Sequence, residues 1–178
     1  MSLSRIALAI LALSAGLTAV SPARAEDTGL RAAAVAGLER TDKASGAGAD
    51  DGFYYGAQLG YDWDLGGVIA GVEGEVGGST ARGALGADRA RQGVSANAAV
   101  RLAIPLREDM RVFARGGYAY HEIGYDAAPS FSGSGYTIGG GGEVDLGRDL
   151  YLRGEYRYSD YGSAVRGQHF LLGLGLKL

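Results

Sequence analysis

Between Phe170 and Leu178 every even position is large and apolar (Phe170, Leu172, Leu174, Leu176, Leu178), while the odd positions hold His169, Leu171, Gly173, Gly175 and Lys177. Side chains alternate faces along an extended chain, so this period of two predicts a β-strand with one apolar face and one lean face. The alternation recurs upstream. Eight segments carry it, at about 30–39, 53–62, 68–78, 93–104, 111–121, 135–146, 150–159 and 169–178. In the second, Phe53, Tyr55, Ala57, Leu59 and Tyr61 oppose Tyr54, Gly56, Gln58, Gly60 and Asp62. In the fourth, Val94, Ala96, Ala98, Val100, Leu102 and Ile104 oppose Ser95, Asn97, Ala99, Arg101 and Ala103. In the seventh, Leu152, Gly154, Tyr156 and Tyr158 oppose Arg153, Glu155, Arg157 and Ser159; the alanine-rich first segment alternates least clearly.

Each segment is close to the ~9–11 residues that a tilted membrane strand requires. Long polar intervals at 40–52, 79–92, 122–134 and 160–168 alternate with short turns at Trp63–Gly67, Pro105–Met110 and Gly147–Asp149. Long loops on one side and tight turns on the other is the outer-membrane barrel arrangement, with the long loops extracellular. A soluble exported barrel would turn its apolar face inward, and two features favour the reverse. The polar face is crowded with glycine (Gly56, Gly60, Gly71, Gly77, Gly139, Gly141, Gly173, Gly175), which suits a narrow lumen. The apolar-face aromatics sit at strand ends: Phe53, Tyr55, Tyr118, Tyr120, Tyr136, Tyr156, Tyr158 and Phe170 toward the long loops, Tyr61 and Trp63 toward the short turns. Amphipathic rings at both headgroup levels form an interfacial girdle. The expected fold is therefore all-β, an eight-stranded antiparallel transmembrane β-barrel with long extracellular loops and short periplasmic turns.

The start of the chain agrees. Arg5, the apolar run Ile6–Leu17 and the small-residue site Ala23-Arg24-Ala25 read as a secretory signal cleaved after Ala25. The run is shorter than the ~20 residues of a membrane-spanning helix. Residues 1–25 are thus expected to leave, and 26–178 to form the barrel domain. The full chain carries 17 basic and 20 acidic residues; losing Arg5 and Arg24 takes the net charge to −5. A mildly acidic exported chain gives no reason to expect nucleic-acid binding. With no cysteine, neither a disulfide framework nor a thiolate metal site is available.

An internal echo supports the segmentation. Val112-Phe113-Ala114-Arg115-Gly116-Gly117-Tyr118-Ala119-Tyr120 aligns with Leu150-Tyr151-Leu152-Arg153-Gly154-Glu155-Tyr156-Arg157-Tyr158. Each copy places an aromatic and an arginine inward and two tyrosines on the lipid face. Further motifs are Gly139-Gly140-Gly141-Gly142-Glu143-Val144 and Leu152-Arg153-Gly154-Glu155-Tyr156-Arg157-Tyr158-Ser159-Asp160-Tyr161-Gly162. On these stretches the chain resembles the small outer-membrane β-barrel proteins of the OmpA-transmembrane and opacity-protein type, especially those of alphaproteobacteria. The resemblance covers the whole mature chain and implies an eight-stranded barrel in the bacterial outer membrane without assigned catalysis. Where that family typically ends in an aromatic residue, this chain ends in Leu178, with Leu174 and Leu176 keeping the apolar dyad that the barrel-assembly machinery would read.

Inward parity brings Glu73, Glu75, Glu143, Asp145 and Glu155 to face Arg101, Arg111, Arg115, Arg153, Arg157 and Lys177. An eight-stranded barrel is just wide enough to be filled by side chains, so near-balanced charges are expected to pair and plug it. A path for small solutes or ions along the same charges is the alternative. A register centred on Arg148 puts Glu143 directly across from Arg153. His121 and His169 also fall inward near the long-loop rim; two histidines without a third ligand define no metal or haem site, and no cofactor is expected, although the pair leaves such binding open. Asp160 and Ser163 near His169 allow a lipid-modifying hydrolase to be imagined, but no G-x-S-x-G elbow supports it. The leading expectation is a non-enzymatic, monomeric envelope component in contact with outer-membrane lipids, with four loops available for surface binding. A narrow diffusion channel and a lipid-modifying enzyme are the alternatives.

Overall fold

The computed structural model describes residues 28–43, 49–80, 90–125, 131–147, 149–162 and 165–178. The signal segment with its cleavage site Ala23-Arg24-Ala25, Arg148, Ser163 and most of the interval 79–92 lie outside the described residues. Eight strands follow one another: β1 Gly29–Lys43, β2 Ala49–Asp64, β3 Ile69–Ser79, β4 Ala90–Arg107, β5 Met110–Tyr125, β6 Phe131–Asp145, β7 Leu150–Asp160 and β8 Val165–Lys177. Each pairs antiparallel with its sequence neighbours, and β1 pairs with β8, closing the barrel. Closure satisfies the backbone of every strand on both edges, the condition for crossing a bilayer without a helix.

The alternation of exposure follows the sequence parity. Along β7, Tyr151, Arg153, Glu155, Arg157 and Ser159 are buried while Leu152 and Tyr156 are exposed. Along β8, Leu172, Leu174 and Leu176 face outward and His169, Leu171, Gly173 and Gly175 face inward. The outer surface is thus apolar and the inside charged, as in a membrane barrel rather than a water-soluble one. Inward glycines make room for large neighbours. A Cβ at Gly175 would collide with the Tyr151 ring, and one at Gly77 with the Tyr54 ring.

Strand length departs from the expected boundaries. The strands continue into the intervals 40–52, 79–92, 122–134 and 160–168, which the sequence assigns to loops; β4 starts at Ala90, β5 runs to Tyr125 and β6 starts at Phe131. Ladder hydrogen bonds need no apolar side chain, so the hairpins go on pairing after the apolar dyad has ended. Two of the short connections are tighter than predicted, because Trp63 and Asp64 still belong to β2 and Pro105 to β4, whereas the third is one residue longer, since β6 ends at Asp145. In the β2–β3 turn the Leu65 amide donates to the Val68 carbonyl at 2.9 Å. Gly66 and Gly67 there take φ of 84° and 112°, left-handed values that favour glycine. Pro105, which has no amide proton to give the ladder, sits at an irregularity in the β4–β5 pairing.

Candidate functional site: the charged lumen

The ladders fix the height of each inward side chain, and the lumen resolves into tiers. At the mouth opposite the short turns, Glu39 of β1 lies directly across from His169 of β8. His169 Nε2 is 3.3 Å from Glu39 Oε1, and the Ser79 hydroxyl also donates to Glu39. The Tyr54 ring meets the His169 ring edge-on at 5.2 Å. His121, on β5, stacks instead near Tyr161, with centroids 5.6 Å apart. The two histidine rings therefore meet different aromatic neighbours, and among the described residues no three His, Cys, Asp or Glu side chains gather as metal ligands. Asp160 is bound by the Gly162 amide at 2.9 Å and by Arg166 at 3.5 Å.

Below the mouth, Arg157 grips Glu75 with both terminal nitrogens, at 2.6 and 2.8 Å. Glu75 also accepts hydrogen bonds from Tyr54 and Gln58, each at 2.5 Å, and from Asn97 at 3.0 Å. Glu155 is shared: Arg157 Nε reaches it at 2.8 Å, Arg153 at 2.9 and 3.1 Å, and Arg115 at 3.3 Å. Arg153 spans the lumen to Glu73 at 3.1 and 3.3 Å. Arg115 Nε stands 2.8 Å from the same carboxylate. These groups are almost wholly buried, and the bidentate, charge-assisted contacts are of the strongest and most directional kind.

Toward the short-turn end, Arg31 binds Asp62 at 2.8 Å and Glu143 at 2.7 Å, while Arg101 reaches the same two carboxylates at 3.4 and 3.1 Å. Glu143 is opposite Arg153 in the β6–β7 ladder, the register that the sequence predicts, with Oε1 3.5 Å from Arg153. Asp145 accepts from Arg111, and from Lys177 at 2.9 Å. The aromatics of the internal echo serve as floors for arginines of other strands. The Arg153 guanidinium lies 4.1 Å from the Phe113 centroid and that of Arg31 4.4 Å from Tyr151, within cation–π range.

All eight residues singled out for the lumen network (Glu73, Glu75, Arg101, Arg115, Glu143, Arg153, Glu155, Arg157) thus meet inside the barrel. Sequence reasoning passed over Arg31, because the alanines of β1 blur its parity, and left Asp62, Tyr54 and Gln58 out of the network although their face was assigned. On the outer surface, Phe53, Tyr55, Tyr118, Tyr136, Tyr156 and Phe170 are exposed, and Trp63, Tyr120 and Tyr158 partly so. Tyr156 and Phe170 pack at 4.9 Å, and Tyr118 donates to Ser134 at 2.7 Å.

A tier of paired charges inside an apolar closed sheet is the anatomy of an outer-membrane barrel, and comparison with known proteins agrees. Residues 9–177 match the family model for the outer membrane protein beta-barrel domain. This chain belongs to that family. The 31 kDa outer-membrane immunogenic protein of Brucella melitensis is 31% identical over 131 residues, covering 62% of this chain and 55% of the relative. The 25 kDa outer-membrane immunogenic protein of Brucella ovis is 30% identical over 131 residues, covering 71% and 64%. The chain thus spans little more than half the length of the first of these relatives. Among solved structures, Neisserial surface protein A superposes with a TM-score of 0.67 at 14% identity, over 84% of this chain and 97% of that one. Ail, the attachment invasion locus protein of Yersinia pestis, solved with the heparin analogue sucrose octasulfate, gives 0.58 at 11% identity, over 84% and 99%. At such identity these likenesses speak for the fold alone. Membership of the family places the protein in the bacterial outer membrane.

Proposed function

We propose that this outer-membrane barrel is sealed: a monomeric, non-enzymatic envelope component that holds its four extracellular hairpins at the cell surface for binding. The observation that carries this reading is the clamp of Arg157 on Glu75 beside that of Arg153 on Glu73 and Glu155, which fills the middle of a narrow lumen. An ion passing through would have to part these buried pairs, and a buried charge left without its partner costs about 3–5 kcal/mol. The immunogenic character named for the Brucella relatives supports surface exposure of the hairpins. Outer-membrane lipids are the partners of the aromatic girdle, and the apolar face of β8 is the segment offered to the assembly machinery. The test is conductance in planar bilayers: the purified protein gives no steady unitary current, whereas a reproducible open level would overturn the seal.

A narrow diffusion channel is the second reading. It is favoured by a small, partly open cavity of about 10 Å³, lined by Arg31, Gln58, Asp62, Glu73, Arg101, Tyr151 and Arg153 among others. A channel gated by the clamp would show openings that lengthen in Glu75→Ala.

A further inference from the structure

We infer that this cavity is a built site for one ordered water molecule, held chiefly by Arg31 and Arg101. Two independent observations converge on it. First, its volume of about 10 Å³ is near the ~10–15 Å³ that a single water requires. Second, two of the residues that line it, Arg31 and Arg101, each carry an Nε–H donor that is buried without a hydrogen-bond partner. Their residues are only 7% and 2% exposed. Buried charged donors are nearly always satisfied, by protein or by ordered water. Arg115 Nε also lacks an aligned partner, but a Glu73 oxygen stands 2.8 Å from it. For Arg31 and Arg101 the ion pairs run through the terminal nitrogens, to Asp62 and Glu143.

The wall also selects the occupant. Asp62 and Glu73 line the cavity together with the arginines and the Tyr151 side chain. A halide would accept from the two Nε–H groups but would face both carboxylates with no proton to offer. A water accepts two hydrogen bonds from the arginines and donates two to carboxylate lone pairs, matching donors and acceptors on both sides. It would add a second link between the tier of Arg31, Asp62 and Arg101 and that of Glu73 and Arg153, beside the one that Glu143 makes to Arg153 at 3.5 Å. The ligand class is therefore a neutral donor–acceptor of water size.

The experiment is nitrogen-resolved NMR of the folded full chain in detergent micelles, reading the arginine Hε resonances for NOE and ROE cross-peaks to water. Arg31 and Arg101 Hε are expected to show both, with the opposite signs of a long-lived bound water. Arg157 and Arg153 Hε, which donate to Glu155, show neither and serve as internal controls. Tyr151→Phe removes a hydroxyl proton that could relay exchange, and the cross-peaks are expected to persist in it. The inference is overturned if Arg31 and Arg101 lack the cross-peaks, if these vanish in Tyr151→Phe, or if replacing chloride with gluconate at constant ionic strength shifts both Hε resonances, which would assign the site to a halide.

Discussion

The clamp between Glu75 and Arg157 can be dissected by a double-mutant cycle. Glu75→Ala removes both contacts of the Arg157 fork, at 2.6 and 2.8 Å, together with acceptors for Tyr54, Gln58 and Asn97. Arg157 keeps one carboxylate, Glu155, at 2.8 Å from its Nε. Stranding one partner of a buried pair costs about 3–5 kcal/mol; the surviving Glu155 contact sets the expected loss at the lower end, about 3 kcal/mol. Arg157→Ala leaves Glu75 with its three neutral donors and with Arg115 at 3.8 Å, and should cost somewhat less. The double variant removes both charges, so its loss should fall short of the sum by about 0.5–3 kcal/mol, the range of coupling between residues in direct contact. Urea unfolding in lipid vesicles, followed through the single tryptophan, Trp63, measures all four corners. Strict additivity, or single losses below about 1 kcal/mol as for an exposed pair, would show that lumen water already screens these charges and would refute the seal.

Other outcomes follow from the faces of the barrel. Leu174→Arg, on the outward face of β8, should cost about 2–4 kcal/mol in vesicles on the lipid-face scale; unchanged stability would mean that the β8 parity is wrong. Gly175→Ala drives a methyl group into the Tyr151 ring and should lower the heat-modifiability midpoint on gels. Gly116→Ala, which meets nothing within 4 Å, should leave that midpoint unchanged or raise it; equal effects of the two would contradict their assignment to opposite faces. Leu178→Phe, at an exposed end of the apolar dyad, should fold into vesicles at least as efficiently as the natural chain.

The sequence alone determined the strand number, the antiparallel meander, the lipid-facing side of the strands with a clear dyad and most of the inward charges, though not Arg31 of the alanine-rich β1. A period of two is a local property, written in adjacent residues such as Arg153, Gly154 and Glu155, and a one-residue slip would invert a whole strand. It also determined the Glu143–Arg153 register, because a tight turn fixes the pairing of the strands that it joins. What it left open was how far the strands continue beyond the apolar dyad, since hydrogen-bonded pairing there carries no hydropathy signal. It also left open the partner of each charge. Arg157 has Gly139 and His169 as ladder neighbours, yet its fork closes on Glu75, 82 residues away across the lumen. Arg153 sits opposite Glu143 but hydrogen-bonds to Glu73 and Glu155. Those choices depend on the diameter of the closed barrel, on the stagger of its strands and on the reach of long side chains over Phe113 and Tyr151. None of these exists until β1 has met β8, and so only the tertiary structure could decide them.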